Sequence, residues 1–121
     1  MTSRLTAITL LTHEELASLS EFEKWLKSKN PKEVVGTACT RHDCPLARRI
    51  QENYPTESVT VDKEGFNIEG KQVPHSSLSD AFVTWLDDEF NGERCRVTAR
   101  KALLVLQGAR RYCDELIQRK I

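Results

Sequence analysis

The first strong pattern in the chain is a stripe of apolar residues at helical spacing near the N-terminus. Thr12 and Glu15 have the spacing of a capping box, which marks the start of a helix. Beyond this start, apolar residues recur three or four positions apart at Leu16, Leu19, Phe22 and Leu26. The pattern predicts one amphipathic helix of about 17 residues. The helix should end near Asn30, because Pro31 disfavours a helical conformation in the residue before it.

The middle of the chain predicts a short helix followed by a β-hairpin. Proline is well tolerated at the first position of a helix, so we expect a helix from about Pro45 to Asn53 with Cys44 at its N-cap. The segments "ESVTV" and "FNIEG" then alternate between apolar and polar residues, which is typical of strands with one buried face. Because "DKEG" between them supplies turn residues, the two strands should pair as a hairpin.

The C-terminal half predicts two further helices with a short strand between them. Ser77 and Asp80 have the capping-box spacing for the first of these helices. The segment "RCRV", which starts at Arg94, predicts a short strand beside the hairpin. Thr98 predicts the N-cap of a long last helix whose apolar residues recur at helical spacing. The predicted order of elements is therefore α-α-β-β-α-β-α.

This order predicts an α+β fold, in which a small antiparallel sheet packs against about four helices. The sheet would consist of the hairpin and a candidate third strand. The chain has 121 residues, which is the size of one domain, so we expect a single domain over 1–121 that is globular from about Leu10. The longest apolar run, Ala102 to Leu106, is far shorter than a membrane span, and the N-terminus lacks a signal-peptide pattern. We therefore expect a cytoplasmic protein with reduced thiols and no contact with a membrane.

The charges are unevenly distributed although the net charge is zero. The balance is −6 up to Glu93 and +6 from Arg94 to the C-terminus. Four cations cluster at the start of the last helix, namely Arg94, Arg96, Arg100 and Lys101. Such clustering is what phosphate binding requires, so these four residues are candidates for binding a polyanion such as nucleic acid. The competing interpretation is an internal network in which "DDE" of the preceding helix neutralises them.

The last helix carries further charges at the spacing of helical ion pairs. Arg110 and Asp114 are four residues apart, as are Arg111 and Glu115. Pairs at this spacing neutralise each other on the surface of a helix. We therefore expect only the first cationic cluster to be left without a local partner.

The segment from Cys39 to Pro45 combines residue types found in metal sites. Structural zinc takes four Cys or His ligands, usually delivered as two close pairs. Cys39, His42 and Cys44 supply at most three, and no second pair stands at ligand spacing elsewhere in the chain. The sequence therefore predicts no metal and no other cofactor, and these three residues are retained only as weak candidate ligands.

The same segment has a stronger basis as a thiol site. A helix N-terminus stabilises a thiolate, so a Cys44 side chain that points at the helix end should have a lowered pKa. Cys39 would then be its resolving partner. Against this, the carboxylate of Asp43 would raise the pKa if it pointed the same way. The structural alternative is that Cys44 is a capping residue or a small buried apolar side chain.

No catalytic constellation is evident in the sequence. Cys44, His75 and Asp80 supply the residue types of a nucleophile, a base and an orienting acid, but no local signature connects them. The consecutive carboxylates of Asp87, Asp88 and Glu89 point away from one another on a helix.

The sequence thus favours a function in binding rather than catalysis. Our leading hypothesis is a small cytoplasmic binding or regulatory protein that acts through protein–protein contacts, either with a protein partner or as a homodimer that forms through the apolar last helix. The alternatives are nucleic-acid binding through the cationic cluster and thiol or metal chemistry at the Cys39–Cys44 segment.

Overall fold

The computed structural model describes residues 13–53 and 58–119, with side chains described for 15–53 and 58–116. The helices in this part of the chain are α1 (His13–Ser18), α2 (Ser20–Ser28), α3 (Pro45–Gln51), α4 (Ser77–Glu89) and α5 (Ala99–Arg119). The strands are β1 (Val34–Thr37), β2 (Val59–Asp62), β3 (Gly65–Ile68), β4 (Lys71–Pro74) and β5 (Arg96–Thr98). The predicted α+β class and the order of the predicted elements are confirmed.

The strands form two small antiparallel sheets rather than one. The predicted hairpin is present as β2 and β3, and β4 extends it to three strands. The predicted third strand, β5, does not join the hairpin. It pairs instead with β1, which was not predicted, and Gly36 lies opposite Val97 in this pair. Neither β1 nor β4 alternates between buried and exposed residues, since β1 has two adjacent buried residues and β4 is an edge strand whose residues remain largely exposed.

The predicted first helix is broken into two at Leu19. Leu19 has a left-handed backbone conformation (φ 56°) although its side chain is buried, so the apolar stripe continues through the break. The guanidinium of Arg110 on α5 donates a hydrogen bond to the carbonyl of Ser18 at 3.1 Å. This bond satisfies a carbonyl at the end of α1, as a helix terminus requires. Because a distant residue supports the break, the local sequence does not reveal it.

The helix starts mostly agree with the predictions. Cys44 is the N-cap of α3 with Pro45 next to it, and Thr98 accepts a hydrogen bond from the amide of Lys101 at the start of α5. The capping box of α4 is formed by Ser76 and Ser79 instead of Ser77 and Asp80, so the prediction was wrong by one residue. The predicted capping box at Thr12 and the expectation for residues 1–9 lie outside the described residues.

One hydrophobic core joins the helices and both sheets. Its largest fully buried side chains are Phe66, Phe82, Leu19, Leu26, Leu46, Ile50 and Leu106. The inner face of α5 packs against α2 and α4, while α3 packs against β1 and β2. In the described part of the chain, no helix has the length and apolar character needed to cross a membrane.

Candidate functional site

The segment between β1 and α3, residues 38–44, forms a loop that we call the cysteine loop. The amide of Ala38 donates to the carbonyl of Cys95 at 2.8 Å, which continues the β1–β5 pairing into the loop. The carbonyl of Arg41 accepts from the amide of Val61 at 2.9 Å, which ties the middle of the loop to β2. These bonds fix the loop between the two sheets, so its side chains are held in defined positions.

A glycine allows the end of the loop to cross β1 closely. A Cβ atom at Gly36 would lie 2.5 Å from the backbone nitrogen of Pro45 and 2.8 Å from the carbonyl oxygen of Asp43. Real Cβ atoms do not approach backbone atoms this closely, so only glycine fits at position 36 without a shift of the loop. The close crossing sets the position of Cys44 at the start of α3.

Asp43 fastens the loop to both neighbouring elements. Its carboxylate accepts from the hydroxyl of Thr37 at 2.7 Å and from the guanidinium of Arg48 at 2.7 and 3.2 Å. Hydrogen bonds from Arg48 and Thr37 lower the pKa of Asp43 below its ordinary value. The carboxylate is therefore ionised and engaged in structural bonds at neutral pH.

Cys44 points at the start of α3, as predicted, but its pKa moves in the opposite direction. Its sulfur accepts a hydrogen bond from the amide of Ala47 at 3.4 Å. Burial nevertheless raises the pKa of Cys44 to about 11, because desolvation outweighs the hydrogen bonds from the backbone. The predicted lowering of this pKa is wrong, since the sulfur is buried by residues that are distant in sequence.

Cys39 is also held as a neutral thiol. Burial raises its pKa first, and the nearby carboxylate of Asp87 raises it further. The thiol lies 3.9 Å from the backbone carbonyl of Asp87, within range of a weak S–H donor. Both candidate reactive thiols are thus protonated at neutral pH, which is unfavourable for nucleophilic chemistry.

The candidate metal ligands do not converge. Among the residues that the structure describes, no three His, Cys, Asp or Glu side chains come together to hold a metal ion. Cys39, His42 and Cys44 are therefore not brought together as ligands, although they are neighbours in sequence.

The residues considered for a catalytic triad do not act together, because His75 has a structural role. The ring of His75 forms hydrogen bonds with the hydroxyl of Ser79 and the carbonyl of Asp62, and it packs against Phe66. His75 thereby joins the hairpin to α4, with both ring nitrogens engaged. It is a structural residue and does not contact Cys44.

A cleft of about 420 Å³ lies between the cysteine loop, the β2–β3 hairpin and α4. We call it the loop cleft. Its floor is formed by the buried apolar side chains of Val61, Phe82 and Leu86 together with Cys44. Its walls carry charged residues, with Arg41 and Lys63 on the loop and hairpin side and Asp87 and Asp88 on α4. The cleft therefore combines an apolar floor with polar walls, which is typical of a small-ligand site.

Asp87 is the residue of this cleft that the sequence analysis missed. Its carboxylate accepts a hydrogen bond from the amide of Cys39 at 3.2 Å. The sequence analysis treated Asp87 as one of three diverging carboxylates. In the structure Asp87 is half-buried, whereas Asp88 and Glu89 are exposed. Helical spacing does not identify Asp87, because Glu89 is the residue that stands three positions after Leu86 and seven after Phe82, and the contact of Asp87 with Cys39 depends on a residue 48 positions away.

The cationic cluster is only partly neutralised within the protein. Lys101 forms an ion pair with Glu89 at 2.8 Å, in agreement with the internal network considered above. Arg94, Arg96 and Arg100 are exposed and form no ion pair within the described part of the chain. The structure therefore leaves three of the four candidate polyanion-binding residues accessible.

The outer surface of α5 exposes large apolar side chains between charged residues. Leu104 is 54% exposed and Tyr112 is 45% exposed. With Arg100, Arg111 and Glu115 they form what we call the α5 outer face. The ring of Tyr112 lies 5.2 Å from that of Trp85 on α4, so this face continues onto the neighbouring helix.

The predicted ion pairs along α5 are not formed. Arg110 turns inward and pairs with Glu23 on α2 at 2.8 Å, because the break between α1 and α2 brings Glu23 to its side. Asp114 and Glu115 are exposed and form no ion pair with any residue of the described ranges. Within the described ranges, the α5 outer face thus has an unpaired cation, Arg100, at one end and an unpaired anion, Glu115, at the other.

Comparison with known proteins gives no relative from which a function could be transferred. No protein-family model, no curated protein and no solved structure matches this chain. The features that bear on function are therefore the loop cleft, the cationic cluster and the α5 outer face.

Proposed function

We propose that this chain is a small non-catalytic binding protein that acts through protein–protein contact, and that two copies associate through the α5 outer face. The observation that carries the proposal is the exposure of Leu104 and Tyr112 on a helix that is otherwise well packed. Large exposed apolar side chains on a stable helix are typical of a surface that a partner covers.

The charges on this face favour a second copy as the partner. In a two-fold interface residue i contacts residue j and residue j contacts residue i. If two α5 helices pair in antiparallel orientation around Gln107 and Gly108, Arg100 meets Glu115 of the second copy. In the same register, Leu104 meets Arg111 and Tyr112 of the second copy. The face is therefore complementary to itself in both charge and apolar contact.

The size of the face indicates a weak association. The 21 residues of α5 extend over about 30 Å, and a helix face about 10 Å wide then buries about 300 Å² on each copy. Stable complexes bury about 1,200 Å² or more in total, so this dimer should form only at high protein concentration. A weak dimer of this kind suits a regulatory protein whose association state changes with its concentration.

Two observations support the remaining parts of the proposal. The raised pKa values of Cys39 and Cys44 are unfavourable for thiol catalysis. All four cysteines are free, and free cysteines are typical of proteins in a reducing compartment such as the cytoplasm.

Sedimentation velocity over a range of protein concentrations tests the dimer. The sedimentation coefficient of the wild-type chain should rise with concentration, whereas L104K should remain monomeric, because it places a cation against Arg111 of the second copy. The matched control is Q72K, which adds the same charge on the exposed strand β4, and it should behave as the wild type. A wild-type chain that stays monomeric throughout, or an L104K variant that associates as well as Q72K, would exclude this interface.

Nucleic-acid binding is the second candidate function, favoured by the exposure of Arg94, Arg96 and Arg100. Neutralisation of phosphates by these cations would release counterions, so binding should weaken steeply with salt. Fluorescence anisotropy with a labelled duplex and a labelled single strand at low salt provides the test. The absence of any binding to either probe would exclude this function, and loss of binding in the triple variant to alanine would support it.

A further inference from the structure

The loop cleft contains a carboxylate with unused capacity to accept hydrogen bonds. Ionised aspartate has two acceptor oxygens with about four lone-pair sites. At Asp87 one oxygen accepts from the amide of Cys39 at 3.2 Å, and the carboxylate also takes part in a hydrogen bond with the Cys39 thiol. Within the described ranges, no cationic side chain forms an ion pair with Asp87. The carboxylate lies at the wall of the cleft, where a bound molecule can donate further hydrogen bonds to it.

The groups beside Asp87 cannot supply this interaction from within the protein. The thiol of Cys39 contacts both the backbone carbonyl and the carboxylate of Asp87, but it is a neutral and weak donor. Arg41 and Lys63 also line the cleft and are exposed, and neither forms an ion pair with Asp87. A carboxylate beside an apolar floor is well matched by a charged donor, because charge-assisted hydrogen bonds are the stronger ones. A primary ammonium group is compact, carries three donors and suits a single open carboxylate oxygen.

The floor of the cleft determines the rest of the ligand. Val61, Phe82 and Leu86 present apolar surface to the cleft, and the neutral sulfur of Cys44 adds a soft, polarisable contact. A volume of about 420 Å³ falls within the range of small-molecule sites. A purely polar cation would make no favourable contact with this apolar lining. The ligand should therefore also carry an aromatic or aliphatic group.

We propose that the loop cleft binds a small molecule that carries a primary ammonium group on an apolar body. The ammonium group donates to Asp87, and the apolar body packs on the floor beside Phe82. This site is independent of the α5 outer face, so either assignment can fail without the other.

Three probes of nearly the same shape separate the contributions of charge and apolar contact. Phenethylamine carries the ammonium group, phenethyl alcohol is neutral, and hydrocinnamate carries the opposite charge. In an NMR titration of the labelled chain, phenethylamine should bind about tenfold more tightly than phenethyl alcohol, and hydrocinnamate should bind most weakly. The amide signal of Cys39 should shift most on binding of the amine, because this amide donates to Asp87.

The substitution D87N tests the anchoring residue. Asparagine keeps an oxygen that can accept from Cys39 but removes the charge, so the preference for the amine over the alcohol should disappear. The matched control is D80N, which removes the same charge from an exposed position of α4 outside the cleft, and it should keep that preference. Equal affinity for all three probes, no binding of phenethylamine, or an unchanged preference in D87N would overturn the proposal. If D87N did not fold, the three probes on the wild-type chain would still decide.

Discussion

The reactivity of Cys44 tests directly whether burial affects the pKa of its thiol more strongly than the N-terminus of the helix does. Burial raises the pKa of this thiol from an ordinary value of 9.0 to about 11. At pH 7 this rise reduces the thiolate fraction roughly 100-fold, because each pKa unit is a factor of ten. Alkylation requires the thiolate, so Cys44 should react about 100-fold more slowly than a free thiol, and still more slowly because the sulfur is shielded.

The assay uses a triple variant with alanine at Cys39, Cys95 and Cys113, which leaves Cys44 as the only thiol. Iodoacetamide is added at a series of pH values, and intact mass spectrometry follows the modified fraction. The rate should continue to rise beyond pH 9 without reaching a plateau, and unfolding in urea should restore the reactivity of a free cysteine. A plateau below pH 8.5 in the folded chain would show that the helix N-terminus controls the thiol, and the reasoning from burial would be refuted.

Two further predictions concern the anchors of the cysteine loop. G36A should destabilise the protein by about 3 kcal/mol, because the new methyl group meets three backbone atoms. The control is G70A, because a Cβ atom at Gly70 has open space around it. G70A should cost only the strain of its positive φ, about 1 kcal/mol. Urea unfolding measures the stability of both variants. D43N should cost about 1 kcal/mol at pH 7, a value reduced by the partial exposure of Asp43 and Arg48. Because the folded pKa of Asp43 is lowered, its contribution is complete above about pH 4, the ordinary aspartate value, and should disappear as the pH falls further. A wild-type advantage over D43N that does not decrease as the pH falls below about 4 would contradict the assignment.

Features that depend on neighbouring residues in sequence could be predicted. The N-caps at Cys44 and Thr98 follow from residue types next to a helix start. The β2–β3 hairpin follows from alternation around a short turn. In each case the residues that decide the structure are within a few positions of one another. Local sequence is sufficient for such features.

Features that depend on distant residues could not be predicted. The β1–β5 pair joins residues about 60 positions apart, and β1 has no alternating pattern of its own. The break at Leu19 is supported by Arg110 from the other end of the chain. The direction of the Cys44 pKa was wrong for the same reason, since desolvation comes from the surrounding fold. Burial of a group is a property of the assembled core and is not encoded next to that group in sequence.

The central proposal is that two copies pair through the α5 outer face in antiparallel orientation. The most direct test is a charge exchange measured by sedimentation equilibrium. R100E and E115R should each weaken the dimer about tenfold, because each creates two contacts between like charges in a two-fold interface. The double variant R100E/E115R should recover the wild-type dissociation constant, since the charge pairs are re-formed with opposite sign. The antiparallel pairing is contradicted if the double variant loses as much free energy of dimerisation as the two single variants together. It is also contradicted if neither single variant changes the dissociation constant.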